Sequence, residues 1–242
     1  MCVLFLSVSP LFRIARKRPT GLNYITQLSQ FLLPGELMIG SGRVKKKNFK
    51  GAVFVDLDGT VWPDLGPGTI FKRPHVNSQL ALCLSEIANS GYALIAFTNQ
   101  TYFGYRSKLN LFDVIVYRYL LRKLVTMKIL DGVFVCHHHP KSEIAFLRRN
   151  CSCRKPRSGL LKWAKREFEL DFDKSFAVGD RITDMLAAFS AGISRSFLIV
   201  GPECLKWNDT DLSSRGITVN FEVTQSLEEA LSIIQEDICY VD

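Results

Sequence analysis

From residue 51 onward, short apolar runs rich in Val, Ile and Phe alternate with longer segments whose apolar positions recur at helical spacing. The runs 51–56, 92–98, 132–136, 175–180 and 196–200 read as strands. The segments 75–90, 106–128, 158–169, 181–191 and 226–236 read as helices. Each strand is almost wholly apolar, as a strand must be when both of its faces are covered. The alternation predicts an α/β fold built on a doubly wound, mainly parallel sheet. In such sheets ligands bind beyond the carboxyl ends of the strands. The residues there are Asp56 with Asp58, Thr98 with Asn99, Cys136, and Asp180 with Asp184.

Charge divides the chain unevenly. Of the 31 Lys and Arg and 23 Asp and Glu behind the net charge of +8, nine basic residues and one acid fall in residues 1–50, leaving 22 of each sign afterwards. Glycine and a lysine run in "GSGRVKKKNFKG" mark the expected boundary between a basic extension, residues 1–47, which need not be ordered, and a folded domain, residues 48–242. No apolar run reaches the roughly 18 to 20 residues that cross a bilayer. The seven cysteines are odd in number and scattered, which speaks against a disulfide framework. The expectation is a soluble, cytoplasmic monomer without a membrane partner.

Two carboxylates two residues apart end the strand in "VFVDLDGTVWPD". Asp-Gly-Thr is ordinary turn chemistry, but the other strand ends supply complementary groups. A carboxylate at Asp56 can attack phosphorus if the incoming anion is neutralised and the departing alcohol is protonated. Asp58 could bend back as that acid and base. Thr98 offers a hydroxyl and neighbouring amides to phosphate oxygens, and Lys155 offers positive charge. Asp180, with Asp56 and a backbone carbonyl near Asp58, could hold Mg²⁺ through oxygen ligands. Asp184, one helical turn beyond Asp180, could support the metal from behind.

The order DLDGT, FTNQ, a lysine, then VGDRITD resembles the four motifs of the haloacid dehalogenase (HAD) superfamily of Mg²⁺-dependent phosphatases over roughly residues 50–200. The resemblance implies Asp56 as nucleophile, Asp58 as general acid and base, Thr98 as phosphate-binding hydroxyl, Lys155 as neutralising lysine and Asp180 as metal ligand.

A second cluster lies nearby. "CHHHP" at 136–140 and "CSC" at 151–153 hold the ingredients of a tetrahedral Cys₃His zinc site, with Cys136, His138, Cys151 and Cys153 as ligands. Four protein ligands leave no open position, so the zinc would be structural. Cys153 stands two residues before Lys155, so the metal would pin the loop that delivers the lysine. This pattern beside Thr-Asn-Gln is similar to the branch containing D-glycero-D-manno-heptose 1,7-bisphosphate phosphatase and histidinol-phosphate phosphatase. The branch implies a structural zinc loop, no large cap domain, and Arg154 as a substrate-phosphate contact. Asn99 joins Thr98, Arg154 and Lys155 as an expected substrate-binding residue. Leu57 stands where the branch usually has Arg, and Arg106 falls one place late in "TNQTYFGYRS".

These readings point to a phosphoric monoester hydrolase acting on a small phosphorylated metabolite, foremost a sugar phosphate such as the heptose bisphosphate. Histidinol phosphate and a 3′-phosphorylated polynucleotide are the alternative substrates, and a catalytically idle binding module is the reading from another class. The balanced charge of residues 51–242 disfavours a nucleic-acid partner.

Overall fold

The computed structural model describes residues 36–39, 48–63, 78–105, 111–126, 128–200 and 219–240. Seven strands form one sheet: β1 (Glu36–Ile39), β2 (Ala52–Val55), β3 (Ala93–Asn99), β4 (Gly132–Cys136), β5 (Phe176–Gly179), β6 (Arg195–Ile199) and β7 (Glu222–Thr224). Among the described residues, five α-helices accompany them: α1 (Ser78–Asn89), α2 (Leu111–Thr126), α3 (Gly159–Phe168), α4 (Ile182–Ala191) and α5 (Leu227–Tyr240). The strand order is β1-β4-β3-β2-β5-β6-β7. Strands β2 to β7 are mutually parallel, and β1 runs antiparallel to β4 at the edge.

Strict alternation along the buried strands divides the core in two. Val53 and Val55 of β2 face α1, α2 and α5, packing with Leu84, Ile87, Leu121, Leu231 and Ile234. Ala52 and Phe54 face the other way, against α3 and α4, with Phe97, Phe134, Leu161, Phe168 and Ala188. Phe54 meets Phe97 and Phe172 edge-on at centroid distances of 6.2 and 5.9 Å. Side chains buried this fully contribute about 1.5–3 kcal/mol each through removal from water. Both faces are covered, so the sheet is doubly wound as expected, and among the described residues no large cap domain is evident.

The five strands expected from the sequence are present within one residue at each end, and the helices agree within a few residues at their ends. Residues 106–110, including Arg106, and residue 127 lie outside the described residues. Two strands were not anticipated. β7 is three residues long with exposed Glu222 and Val223, too short to show a period. β1 lies on the leader side of the boundary placed after residue 47, so residues 36–39 of that segment extend the sheet through pairs from Glu36↔Val135 to Ile39↔Gly132. Among the described residues, no helix is long and apolar enough to cross a membrane.

The topology positions the chemistry. β2 lies between β3 and β5, and the chain order reverses there, so the carboxyl ends of these neighbours open one crevice. Asp56 leaves β2, Thr98 and Asn99 end β3, and Asp180 follows β5.

Candidate active site

The turn after β2 is wound tightly around one carbonyl. Leu57 O accepts from the backbone N–H groups of Thr60, Val61 and Trp62 at 3.3, 3.0 and 3.1 Å. Gly59 sits at φ +90°, and a Cβ there would lie 2.2 Å from Asp180 Oδ2. Glycine is therefore required twice, for the left-handed backbone and for the approach of the aspartate. The Leu57 side chain is fully buried in the core.

Lys155 is the hub. Its ammonium lies 2.8 Å from Asp56 Oδ1 and 2.6 Å from Asp184 Oδ1, donates to Phe97 O at 3.1 Å, and stands 4.5 Å from the centre of the Phe97 ring. Burial opposes its charge, but Asp184 and Asp56 outweigh that penalty and raise its pKa. Asn99 holds the lysine's backbone from both sides: Asn99 Nδ2 donates to Lys155 O, and Lys155 N donates to Asn99 Oδ1, each at 3.2 Å. The amide expected to meet substrate is thus committed to presenting the lysine. Replacing Lys155 by Met leaves Asp56 and Asp184 buried without a counter-charge, and metal-free stability is expected to fall by about 3–5 kcal/mol. Chemical denaturation without divalent cations measures this directly; a loss below 1 kcal/mol would contradict the hub role.

One carboxylate oxygen from each of Asp56, Asp180 and Asp184 lies within 4.8 Å of the other two. Burial first, then repulsion from Asp56 and Asp184, raises Asp180 to about 7. Burial likewise lifts Asp184 to about 6, against the pull of Lys155. Asp180 Oδ1 is buried with no hydrogen-bond partner, and its other oxygen is 3.7 Å from Arg181 Nε. Asp184 is already engaged on both oxygens: Oδ1 pairs with Lys155, and Oδ2 accepts from the Arg181 N–H at 3.0 Å, capping α4. An orphaned carboxylate oxygen with suppressed ionisation beside a second carboxylate fits a hard divalent cation. Asp184 fits the supporting place behind it. Asp58 stands apart from this cluster, its Oδ1 accepting from Trp62 Nε1 and its Oδ2 from Gln100 Nε2, both at 2.5 Å.

The second cluster assembles from two short segments joined by a loop. Cys136 ends β4, His138 follows it, and Cys151 and Cys153 return from the next loop. The sulfurs are separated by 3.6 Å (Cys136–Cys151), 3.3 Å (Cys136–Cys153) and 3.0 Å (Cys151–Cys153). His138 Nδ1 lies 3.3 Å from Cys153 Sγ and 3.8 Å from Cys136 Sγ. A zinc ion with ligands at about 2.0–2.3 Å requires tetrahedral edges of about 3.5–3.8 Å, so the four donors need move only by fractions of an ångström. Hydrogen bonding by Cys136 leads the effects that bring Cys153 down to about 5, whereas a bond to Cys153, followed by burial, pushes Cys136 up. Arg154 is half-buried next to this cluster and donates from Nη1 to His138 O at 3.3 Å.

All the residues expected from the sequence to carry chemistry thus converge on one crevice and its flanking loop. Three contributors escaped notice: Gln100, Trp62 and the Phe97 carbonyl. Gln100 had a readable signal, since a residue two beyond Thr98 in an extended segment faces the same side.

Known proteins share the family and the fold. A HAD-hydrolase-like family model matches residues 152–201. The D-glycero-β-D-manno-heptose-1,7-bisphosphate 7-phosphatase of Yersinia pestis is 34% identical over 154 residues, covering 61% of this chain and 79% of that protein. The protein of the same name from Escherichia coli K12 is 30% identical over 151 residues, covering 61% and 78%. The chain belongs to the HAD-like phosphatase family. D,D-heptose 1,7-bisphosphate phosphatase from B. bronchiseptica, solved with magnesium and phosphate, superposes with a TM-score of 0.59 over 77% of this phosphatase and 99% of that chain. At 19% identity that likeness is one of fold. The family and these relatives assign phosphomonoester hydrolysis to this HAD-like phosphatase.

Proposed function

We propose that this phosphatase hydrolyses a sugar phosphate of the D-glycero-D-manno-heptose 1,7-bisphosphate class through a phosphorylated Asp56. The observation that carries the reading is Lys155, held by Asn99 and tied at once to Asp56 and Asp184 beneath a Cys₃His loop. The heptose phosphatases that align with the chain support the substrate class.

Asp56 is the nucleophile, oriented by Lys155 Nζ and by its own N–H donating to Val178 O at 3.0 Å. Asp58 gives a proton to the leaving alcohol and later takes one from the attacking water. Thr98 donates its hydroxyl to a phosphate oxygen, and Lys155 neutralises charge that develops there. Asp56, Asp180 and the backbone carbonyl at Asp58 would hold Mg²⁺, with Asp184 behind them. Bound there, Mg²⁺ would neutralise negative charge on the phosphoryl group and the nucleophile. Cys136, His138, Cys151 and Cys153 would hold a structural Zn²⁺, and Arg154 would meet a second anionic group of the substrate. The five described cysteines are free thiols, which suits a reducing, cytoplasmic setting.

Proton and metal compete at Asp180. Its folded pKa of about 7 lies above the ordinary carboxylate value of 3.8, so the group favours the metal-free fold at low pH. That contribution is lost as pH rises from about 4 through 7. Mg²⁺ requires the ionised form, so its affinity is expected to tighten about tenfold between pH 6 and pH 8. Calorimetric titration across that range checks this; a flat profile would contradict the assignment of Asp180.

The substrate is tested by Mg²⁺-dependent phosphate release from the heptose 1,7-bisphosphate, histidinol phosphate and a 3′-phosphorylated oligonucleotide. Preference for the heptose supports the reading, and preference for either other ester overturns the substrate class. The oligonucleotide belongs in the panel because segment 141–157 sets Lys141, Arg148, Arg149, Arg154, Lys155 and Arg157 against the single acid Glu143. Arg148 and Arg157 are, however, committed to loop carbonyls at Ser142 and Cys151.

A further inference from the structure

Gln100 is almost completely buried one residue past β3. Its single side-chain nitrogen, Nε2, donates to two reacting groups at once, Asp58 Oδ2 at 2.5 Å and Thr98 Oγ1 at 3.0 Å. The backbone of the same residue is fastened to the metal loop: Gln100 N donates to Cys136 O at 2.8 Å, and Gln100 O lies 3.4 Å from His137 Nδ1. One residue therefore links the acid and base and the phosphate-binding hydroxyl, through its side chain, to the start of the Cys₃His loop, through its backbone.

We propose that Gln100 is a positioning residue that sets the acid/base carboxylate and the phosphate-binding hydroxyl together, an inference that rests on Asp58 and Thr98 having the roles given above. The argument begins with hydrogen-bond direction. A threonine hydroxyl has one hydrogen to give. Thr98 Oγ1 accepts from Gln100, so its own hydrogen is left for another acceptor, and a phosphate oxygen arriving in the crevice is that acceptor. Asp58 is fixed from both ends, by Gln100 on Oδ2 and by Trp62 Nε1 on Oδ1. A carboxylate held at two oxygens keeps its plane and its distance from the leaving group, and small misplacements of such a group cost about 10²-fold in rate.

The chemical step shows where the clamp acts. An Asp56 oxygen bonds to phosphorus while the bond from phosphorus to the ester oxygen breaks, and Asp58 passes its proton to that oxygen. Water then bonds to phosphorus, the bond to Asp56 breaks, and Asp58 recovers a proton from the water. Loss of the clamp weakens the first transfer most where the departing oxygen is a strong base. A sugar or other alkyl alkoxide needs the proton; an aryl oxide departs without it.

The test compares kcat/KM for p-nitrophenyl phosphate and for an alkyl phosphate in wild type and Gln100→Met, which keeps length and removes both N–H donors. The expected loss is about 10²-fold for the alkyl ester and less than about tenfold for the aryl ester. Trp62→Phe removes the other donor to Asp58, leaves Thr98 untouched, and is expected to show the same ordering with a smaller loss; it also carries the test should Gln100→Met not fold. Equal losses on both esters, with active wild type, overturn the clamp and leave Gln100 as a packing residue. Wild type without turnover of either ester overturns the phosphatase roles and the clamp together.

Discussion

Asp56→Asn is expected to lower kcat by about four to six orders of magnitude, the range seen when a covalent nucleophile is removed, while the protein remains folded. The amide keeps the size and the place at the end of β2 but lacks the charge that attacks phosphorus. Structure gives the reason stability should survive. Lys155 retains Asp184 at 2.6 Å when its partner at position 56 becomes neutral. Asp56 is also one of the charges that press Asp180 upward to about 7, so its removal relieves repulsion in the metal-free protein. Steady-state phosphate release beside thermal unfolding checks both halves. Turnover within tenfold of wild type would remove Asp56 from the chemistry.

Cys151→Ser acts on the other side of Lys155 and is expected to damage stability and activity together. In the zinc reading its thiolate is one of four ligands, and loss of a structural metal ranks among the few single changes that cost about 4 kcal/mol or more. At Lys155 the loop is tied down by Asn99, Asp56, Asp184 and the Phe97 carbonyl. Its metal end is more weakly held: Cys151 and Cys153 are only partly buried, and the segment through Ser158 is irregular. Lys155 follows Cys153 by two residues, so a loosened ligand loop withdraws the ammonium from Asp56. About one zinc per chain in wild type, and a parallel fall of zinc, melting temperature and kcat in the variant, is the expected pattern. Lost activity with zinc and melting temperature intact would show that the loop does not act through the metal.

How much of this was legible beforehand differs by element. Val53 to Val55, Leu94 to Phe97 and Val133 to Val135 announced their strands because burial on both faces makes a run wholly apolar. Once the strands are parallel, Asp56, Thr98 and Asp180 must share an edge, so the convergence of the candidate residues followed from topology. Lys155 could be named from its motif, but its ties to Asp184 and to the Phe97 carbonyl depend on how a loop folds over β3, which no periodicity encodes. Asn99 was read for its chemistry, and only its distance to the lysine backbone showed the amide clasping the loop. β1 escaped because it lies in the basic segment read as an extension ahead of the domain, and β7 because three residues cannot display a period; both pair at the ends of the strand order.

The central claim is that phosphate passes through Asp56, and the most direct measurement is to catch it there. The protein would be mixed with Mg²⁺ and a phosphate-labelled sugar phosphate, quenched in acid during turnover, and digested for peptide mapping. The account predicts acid-stable label on the peptide containing Asp56, lost on brief treatment with hydroxylamine and absent from Asp56→Asn. Label on a different residue, or phosphate release by the Asp56→Asn protein at the wild-type rate, would contradict it.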